Sequence, residues 1–268
     1  MRYVVCTDIH LNFVDKFGWE KFIDEVLATD LDCLFITGDI SEGNILAKHL
    51  EILHLGIKKP IYFVCGNHDF YLSSTERVRA DLVALQSKVP DLHYMRRDPV
   101  KLSPYTQLVG VDGWADARIG FPESGRVVLA DWNYIADYKD EFAHISLPKR
   151  LEIAQKYGDT EAAILDSSLS KAEETGATKI IVLTHVPPFK GATWHKGKIS
   201  DGHWLPWFSC HAVGQTLNIH AVDHPNIEYL VYTGHTHGGG LYRHRKNLVV
   251  KTNSAEYNYP GVACVGYA

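Results

Sequence analysis

The sequence predicts an α/β fold in which strands alternate with helices. Three observations predict it. Short continuous apolar runs recur along the chain, as strands covered on both faces require. Between them, apolar residues fall at helical spacing. Each of several runs ends in a short cluster of Asp, Asn, His and Gly.

In chain order, Tyr3-Val4-Val5-Cys6 reads as the first strand. Trp19, Phe22, Ile23, Val26 and Leu27 follow the i, i+3, i+4, i+7, i+8 spacing of a helix. Leu34-Phe35-Ile36 is the second strand, and Leu46, Leu50 and Leu53 mark the next helix. Pro60 precedes a third strand from Ile61 to Cys65. Ser73 and Glu76 form a capping box for a helix running to about Ser87. Further strands are expected from Thr106 to Val111, Ile180 to Leu183, Glu228 to Thr233, Gly239 to Arg245 and Leu248 to Thr252. A helix is expected from about Thr160 to Glu174. This alternation argues for parallel pairing through right-handed crossovers. In such sheets, ligands bind beyond the carboxyl ends of the strands.

The 268 residues are 46% hydrophobic and 22% charged, which is enough apolar material for a large core. A single domain over 1–268 is expected, with substrate-side insertions at about 112–138 and 189–226. The formal net charge is -5 and no basic run stands out, so a nucleic-acid partner is not favoured, although a local groove is left open. No apolar stretch approaches the roughly 18 residues of a membrane span. The N-terminal run is too short for a signal-peptide core. Cys6, Cys33, Cys65, Cys210 and Cys264 are scattered and lack a Cys-x-x-Cys pair, so they read as small buried hydrophobes in a reducing cytoplasm.

Five islands carry the chemistry: Thr7-Asp8-Ile9-His10, Gly38-Asp39, Gly66-Asn67-His68-Asp69, Thr184-His185-Val186-Pro187-Pro188 and Gly234-His235-Thr236-His237-Gly238. Each follows an apolar run and offers only oxygen or imidazole donors. Singly they are weak: a Gly-Asp pair usually marks a turn. Gly-His-Thr-His-Gly is the strongest, because two imidazoles flanked by glycines suit a metal. Together they describe a site for two divalent ions.

As a set, these residues resemble the calcineurin-like metallophosphoesterase superfamily, outside its protein-phosphatase branch, from Asp8 to His237. The resemblance implies a four-layer α/β/β/α sandwich, two mixed sheets face to face with flanking helices. It implies that Asp8, His10 and His237 hold one metal, that Asn67, His185 and His235 hold the other, and that Asp39 bridges both. His68 resembles the family's catalytic histidine, with Glu42 or Asp69 as its carboxylate partner. The implied reaction is hydrolysis of a phosphate ester by a metal-bridged hydroxide. Metals about 3.5–4 Å apart polarise phosphoryl oxygens and activate that water, and His68 protonates the leaving oxygen. Ligation by His, Asp and Asn without thiolate fits Mn²⁺, Fe or Zn²⁺, with Mn²⁺ expected to support activity.

Protein phosphatases of the superfamily carry an Arg after the acidic residue matching Glu42; here it is Gly43. The expected substrate is therefore a phosphomonoester or phosphodiester of a small molecule or nucleotide. Trp194, His195, His203, Trp204 and Trp207 either contact it or build a packed cap. Arg118 and Lys190 are candidate phosphate contacts. The rival readings are a metal-dependent nuclease, which the net charge disfavours, and a non-catalytic scaffold, which the retained His68 disfavours.

Overall fold

The computed structural model describes residues 1–96, 98–124, 127–137 and 146–268. Residues 125–126 and 138 of the first expected insertion lie outside them. The elements in order are β1 (Arg2–Cys6), α1 (Lys16–Leu27), β2 (Cys33–Thr37), α2 (Leu46–Ile57), β3 (Ile61–Val64), α3 (Thr75–Lys88), β4 (Leu92–Tyr94), β5 (Val100–Ser103) and β6 (Thr106–Gly110). Then follow α4 (Asp131–Tyr134), α5 (Leu147–Glu173), β7 (Lys179–Leu183), the hairpin β8 (Trp194–His195) and β9 (Lys198–Ile199), α6 (Leu205–Phe208) and α7 (His211–Asp223). The chain closes with β10 (Glu228–Thr233), β11 (Gly240–Arg245), β12 (Leu248–Thr252) and β13 (Cys264–Tyr267).

One sheet has the order β13-β1-β2-β3-β4 and the other β11-β12-β10-β7-β6-β5. Their inner strands run parallel, and β13, β11 and β5 pair antiparallel, so both sheets are mixed. The strands are apolar on both faces because both faces are covered. Tyr3, Val5, Phe35 and Val64 face Leu108, Ile181, Leu183 and Tyr232 between the sheets. A hydrogen bond of 3.0 Å joins the Tyr3 and Tyr232 hydroxyls across that layer. Val4, Cys6, Leu34, Ile36 and Phe63 point the other way, onto α1, α2 and α3. Val109, Ile180, Val182, Tyr229 and Val231 point outward onto α5 and α7. This is the four-layer α/β/β/α arrangement.

The helices depart from expectation in three places. Ser74, not Ser73, caps α3, accepting from the Arg77 amide, while the Ser73 amide closes a turn on the Phe70 carbonyl. The helix expected from Thr160 begins at Leu147. Gly158 lies inside the helix at a close contact: a Cβ there would lie 2.5 Å from that of Asp116. Leu151, Ile153, Ala154 and Tyr157 pack on the first core, and Leu165, Leu169 and Ala172 on the second. Finally, the second insertion divides. Its later part forms α7, which packs Val213, Leu217 and Ala221 in the outer layer and connects β7 to β10. All five cysteines are free, and Cys6, Cys33, Cys65 and Cys210 are buried. Among the described residues, no helix is long and apolar enough to cross a membrane.

Candidate dinuclear metal centre

The parallel strands β1, β2, β3, β7 and β10 all end at one rim, and the five islands follow them there. The loops are tied to each other. Asp8 donates its amide to the Gly38 carbonyl and His10 to that of Asp39, both at 3.0 Å. The His235 amide bonds the Asp8 carboxylate at 3.1 Å. Gly66 permits a close approach: a Cβ there would collide with the Asp39 carboxylate and lie 2.6 Å from His185 Nε2. Asp8, His10, Asp39, His235 and His237 all have left-handed backbone, at φ of 47°, 40°, 50°, 69° and 54°. Such conformations cost on the order of 1–3 kcal/mol each and persist where surrounding structure imposes them.

Four acceptors converge in one half of the site. His185 Nδ1–H donates to the Thr37 carbonyl at 2.8 Å, so Nε2 faces inward. His235 Nε2–H donates to the Trp207 carbonyl at 3.0 Å, so Nδ1 faces inward. Asn67 donates its amide nitrogen to Asp131 at 2.8 Å, which turns its oxygen inward. The Asn67 oxygen lies 3.2 Å from His185 Nε2 and 3.1 Å from His235 Nδ1, and those nitrogens are 3.2 Å apart. Asp39 Oδ1 completes the set, 3.4 Å from His185 Nε2.

The other half repeats this. His10 Nε2 and His237 Nε2 are 3.4 Å apart, and His237 Nε2 is 3.4 Å from Asp8 Oδ1. Asp39 turns its second oxygen here, 3.8 Å from His10 Nε2. Asp39 therefore faces both halves with different oxygens.

The electrostatics match a cation site. Burial pushes His10 and His235 down to about 4, so both rings are neutral at pH 7. Burial opposes charge on Asp39 too, but His185, His68 and His10 outweigh it and hold the carboxyl well below its usual range. Burial would also lower His185; instead Asp39 and Asp8 raise it to about 10. Burial would lower His237 too, but Asp8 and Asp39 raise it, so the protein alone balances these carboxylates by favouring charge on imidazoles. A divalent ion supplies the positive charge instead and leaves those rings free to ligate.

His68 sits beside this centre. Its ring stacks on Tyr71 at 4.3 Å, and Nε2 lies 4.0 Å from Asp39 Oδ2. Its Nδ1 is buried without a hydrogen-bond partner, so neither Glu42 nor Asp69 holds the ring. Asp69 is committed elsewhere, accepting from the amides of Ile40, Ser41 and Gly66 at 2.8–2.9 Å, which clamps the loops after β2 and β3 together. Arg118 is likewise committed, to Asp116 and Asp159 at 3.1 and 2.8 Å. Lys190 is exposed on a separate turn.

A family model described as calcineurin-like phosphoesterase matches residues 1–239. The chain belongs to this family. As a calcineurin-like phosphoesterase it is a metal-dependent phosphoric ester hydrolase, and the family typically binds two divalent metals. No curated protein sequence matches the chain. Among solved structures it is similar to a phosphopantetheinyl hydrolase from Mycobacterium tuberculosis (TM-score 0.69, 12% identity, 97% of this chain and 94% of that one). It is also similar to a dimetal phosphatase from Danio rerio (TM-score 0.60, 12% identity, 100% and 92%). A third is TT1561 of Thermus thermophilus (TM-score 0.56, 16% identity, 94% and 88%). At these identities the likeness establishes the fold.

Over the phosphoesterase centre lies a cleft of about 360 Å³. Asp39, Asn67, His68, His235 and His237 form its floor, and Tyr257, Trp204, Phe208 and Leu129 stand around it. Tyr257 stacks on His10 at 4.4 Å and is not foreshadowed by any sequence pattern. The tryptophans of the insertion divide in role. Trp204 is 43% exposed at the cleft, whereas Trp207 is buried against Trp132 and contributes its carbonyl to His235. Trp194 packs against Gly238 and Gly240.

Proposed function

We propose that this phosphoesterase hydrolyses a small phosphate ester whose alcohol portion occupies the aromatic cleft. The observation that carries this reading is the cleft itself: its floor is the cation site and its walls are rings. A volume of about 360 Å³ suits a nucleoside-sized or smaller group. Tyr257 and Trp204 are half-exposed rings beside a polar floor, a setting for stacking a planar leaving group.

Asp8, His10 and His237 would hold one metal, Asn67, His185 and His235 the other, with Asp39 shared. When bound, two such ions polarise phosphoryl oxygens and activate water as a nucleophile. The chain supplies the rest. His68 presents Nε2 beside the shared carboxylate, where it protonates the departing alcohol as general acid. Tyr71 fixes its ring plane by stacking. Mn²⁺ is the ion we expect to support turnover, since the donors are imidazole, carboxylate and amide oxygen without thiolate.

A panel of phosphomonoesters and phosphodiesters, assayed with Mn²⁺ and after chelation, tests the reading. We expect chelator-sensitive hydrolysis, faster for esters with a planar alcohol. A protein that carries two ions per chain and hydrolyses none of them overturns it.

A further inference from the structure

We propose that Asp131 is a positioning residue that holds the Asn67 side chain in its metal-binding orientation. A carboxamide has two faces. Only its oxygen binds a cation, and its NH₂ group repels one. Both imidazoles in this half of the site are oriented by backbone carbonyls, those of Thr37 and Trp207. Asn67 has no such carbonyl partner. It is oriented by a side chain 64 residues away, with Nδ2 donating to Asp131 Oδ1 at 2.8 Å.

Asp131 is itself held. The Tyr71 hydroxyl donates to the same oxygen at 2.6 Å. The stretch carrying Asp131 is fastened to the chain after Tyr71 by three bonds. Leu72 donates to the Tyr134 carbonyl and Ala136 to the Ser73 carbonyl, both at 2.8 Å, and the Thr75 amide donates to Asp137 at 2.6 Å. Asp131 also borders the cleft, but a carboxylate repels a phosphate ester. Its contribution therefore passes through Asn67. One consequence is that affinity at the second metal position depends on how the 127–137 stretch docks.

The inference rests on the two-metal reading and is tested by metal binding, without an assay of turnover. Chelator competition with Mn²⁺ on the full-length chain gives an affinity for each position. Asp131→Ala should weaken one position about 10–100-fold, the usual effect of losing a residue that supports a ligand, and leave the other unchanged. Asp131→Asn should restore most of that loss, because its amide oxygen can accept both bonds. If wild type loads only one ion, the two-metal reading fails. If wild type loads two and Asp131→Ala does so with unchanged affinities, that reading stands and the role of Asp131 falls. Asp131→Asn binding as weakly as Asp131→Ala also overturns it, since charge rather than hydrogen bonding would then matter.

Discussion

The molecule holds two clusters of histidine and carboxylate, one at the rim of the strands and one between α5 and α7. They use the same residue types and do different things. In the outer cluster every ring nitrogen in contact meets a carboxylate. His220 Nδ1 bonds Glu173 at 2.8 Å, His220 Nε2 bonds Asp166 at 3.0 Å, and His224 Nε2 lies 3.2 Å from Glu173. Tyr229 adds a further donor to Glu173 at 2.6 Å. Ring nitrogens and a phenol there are paired with carboxylates. In the rim cluster, ring nitrogens also face each other, at 3.2 and 3.4 Å, and the other nitrogens of His185 and His235 bond backbone carbonyls. Imidazoles, carboxylates and an amide oxygen that converge in this way suit a cation. Which atoms face each other, rather than which residues gather, separates a metal site from an ion-pair pin.

The most disruptive test is Asp39→Asn, which removes the charge shared by both halves. We expect both metals and nearly all hydrolysis to be lost; full metal occupancy by elemental analysis would refute the shared role. His68→Ala should come next, lowering kcat by roughly 10²–10⁴ while metal content stays at the wild-type level. Metal loss in that variant would make His68 a ligand instead. In the outer cluster, His220→Ala should leave metal stoichiometry untouched and reduce unfolding free energy by about 1–3 kcal/mol, because it strips a partner from the largely covered carboxylate of Glu173. A metal bound in wild type but absent from His220→Ala would erase the contrast between the clusters. The smallest effect is expected at the cleft wall. Tyr257→Leu should weaken transition-state binding of ring-bearing esters by about 0.5–1.5 kcal/mol relative to aliphatic ones, read as a ratio of kcat/KM values. Equal losses on both would assign Tyr257 to packing on His10.

Much of this architecture was legible because its causes are local. Tyr3 to Cys6, Ile180 to Leu183 and Glu228 to Thr233 read as strands since each is apolar on two covered faces. The five islands stood out because each unites unusual donors with a strand end, and the structure brings all seven expected ligand residues to one rim. What escaped was held by distance or by backbone. Asp131 meets Asn67 only through tertiary folding. The Trp207 carbonyl that orients His235 has no residue-type signature, so its indole drew attention to the wrong part of the residue. The first half of α5 packs on the first core and its second half on the second, so its apolar residues do not continue one face. Glu42 stands where relatives of the family carry an Asp to hold the catalytic histidine, and Asp69 adjoins His68 in sequence, yet three backbone amides claim Asp69 first.

The left-handed backbone at Asp8, His10, Asp39, His235 and His237 has an evolutionary consequence. Glycine at any of these positions would relax the chain, so the sequence that folds most stably is not the one that works. A lineage released from catalysis should drift toward glycine or asparagine at just these sites. Asp and His at these positions give up the backbone freedom of glycine and place five ligand-type side chains on one rim in return.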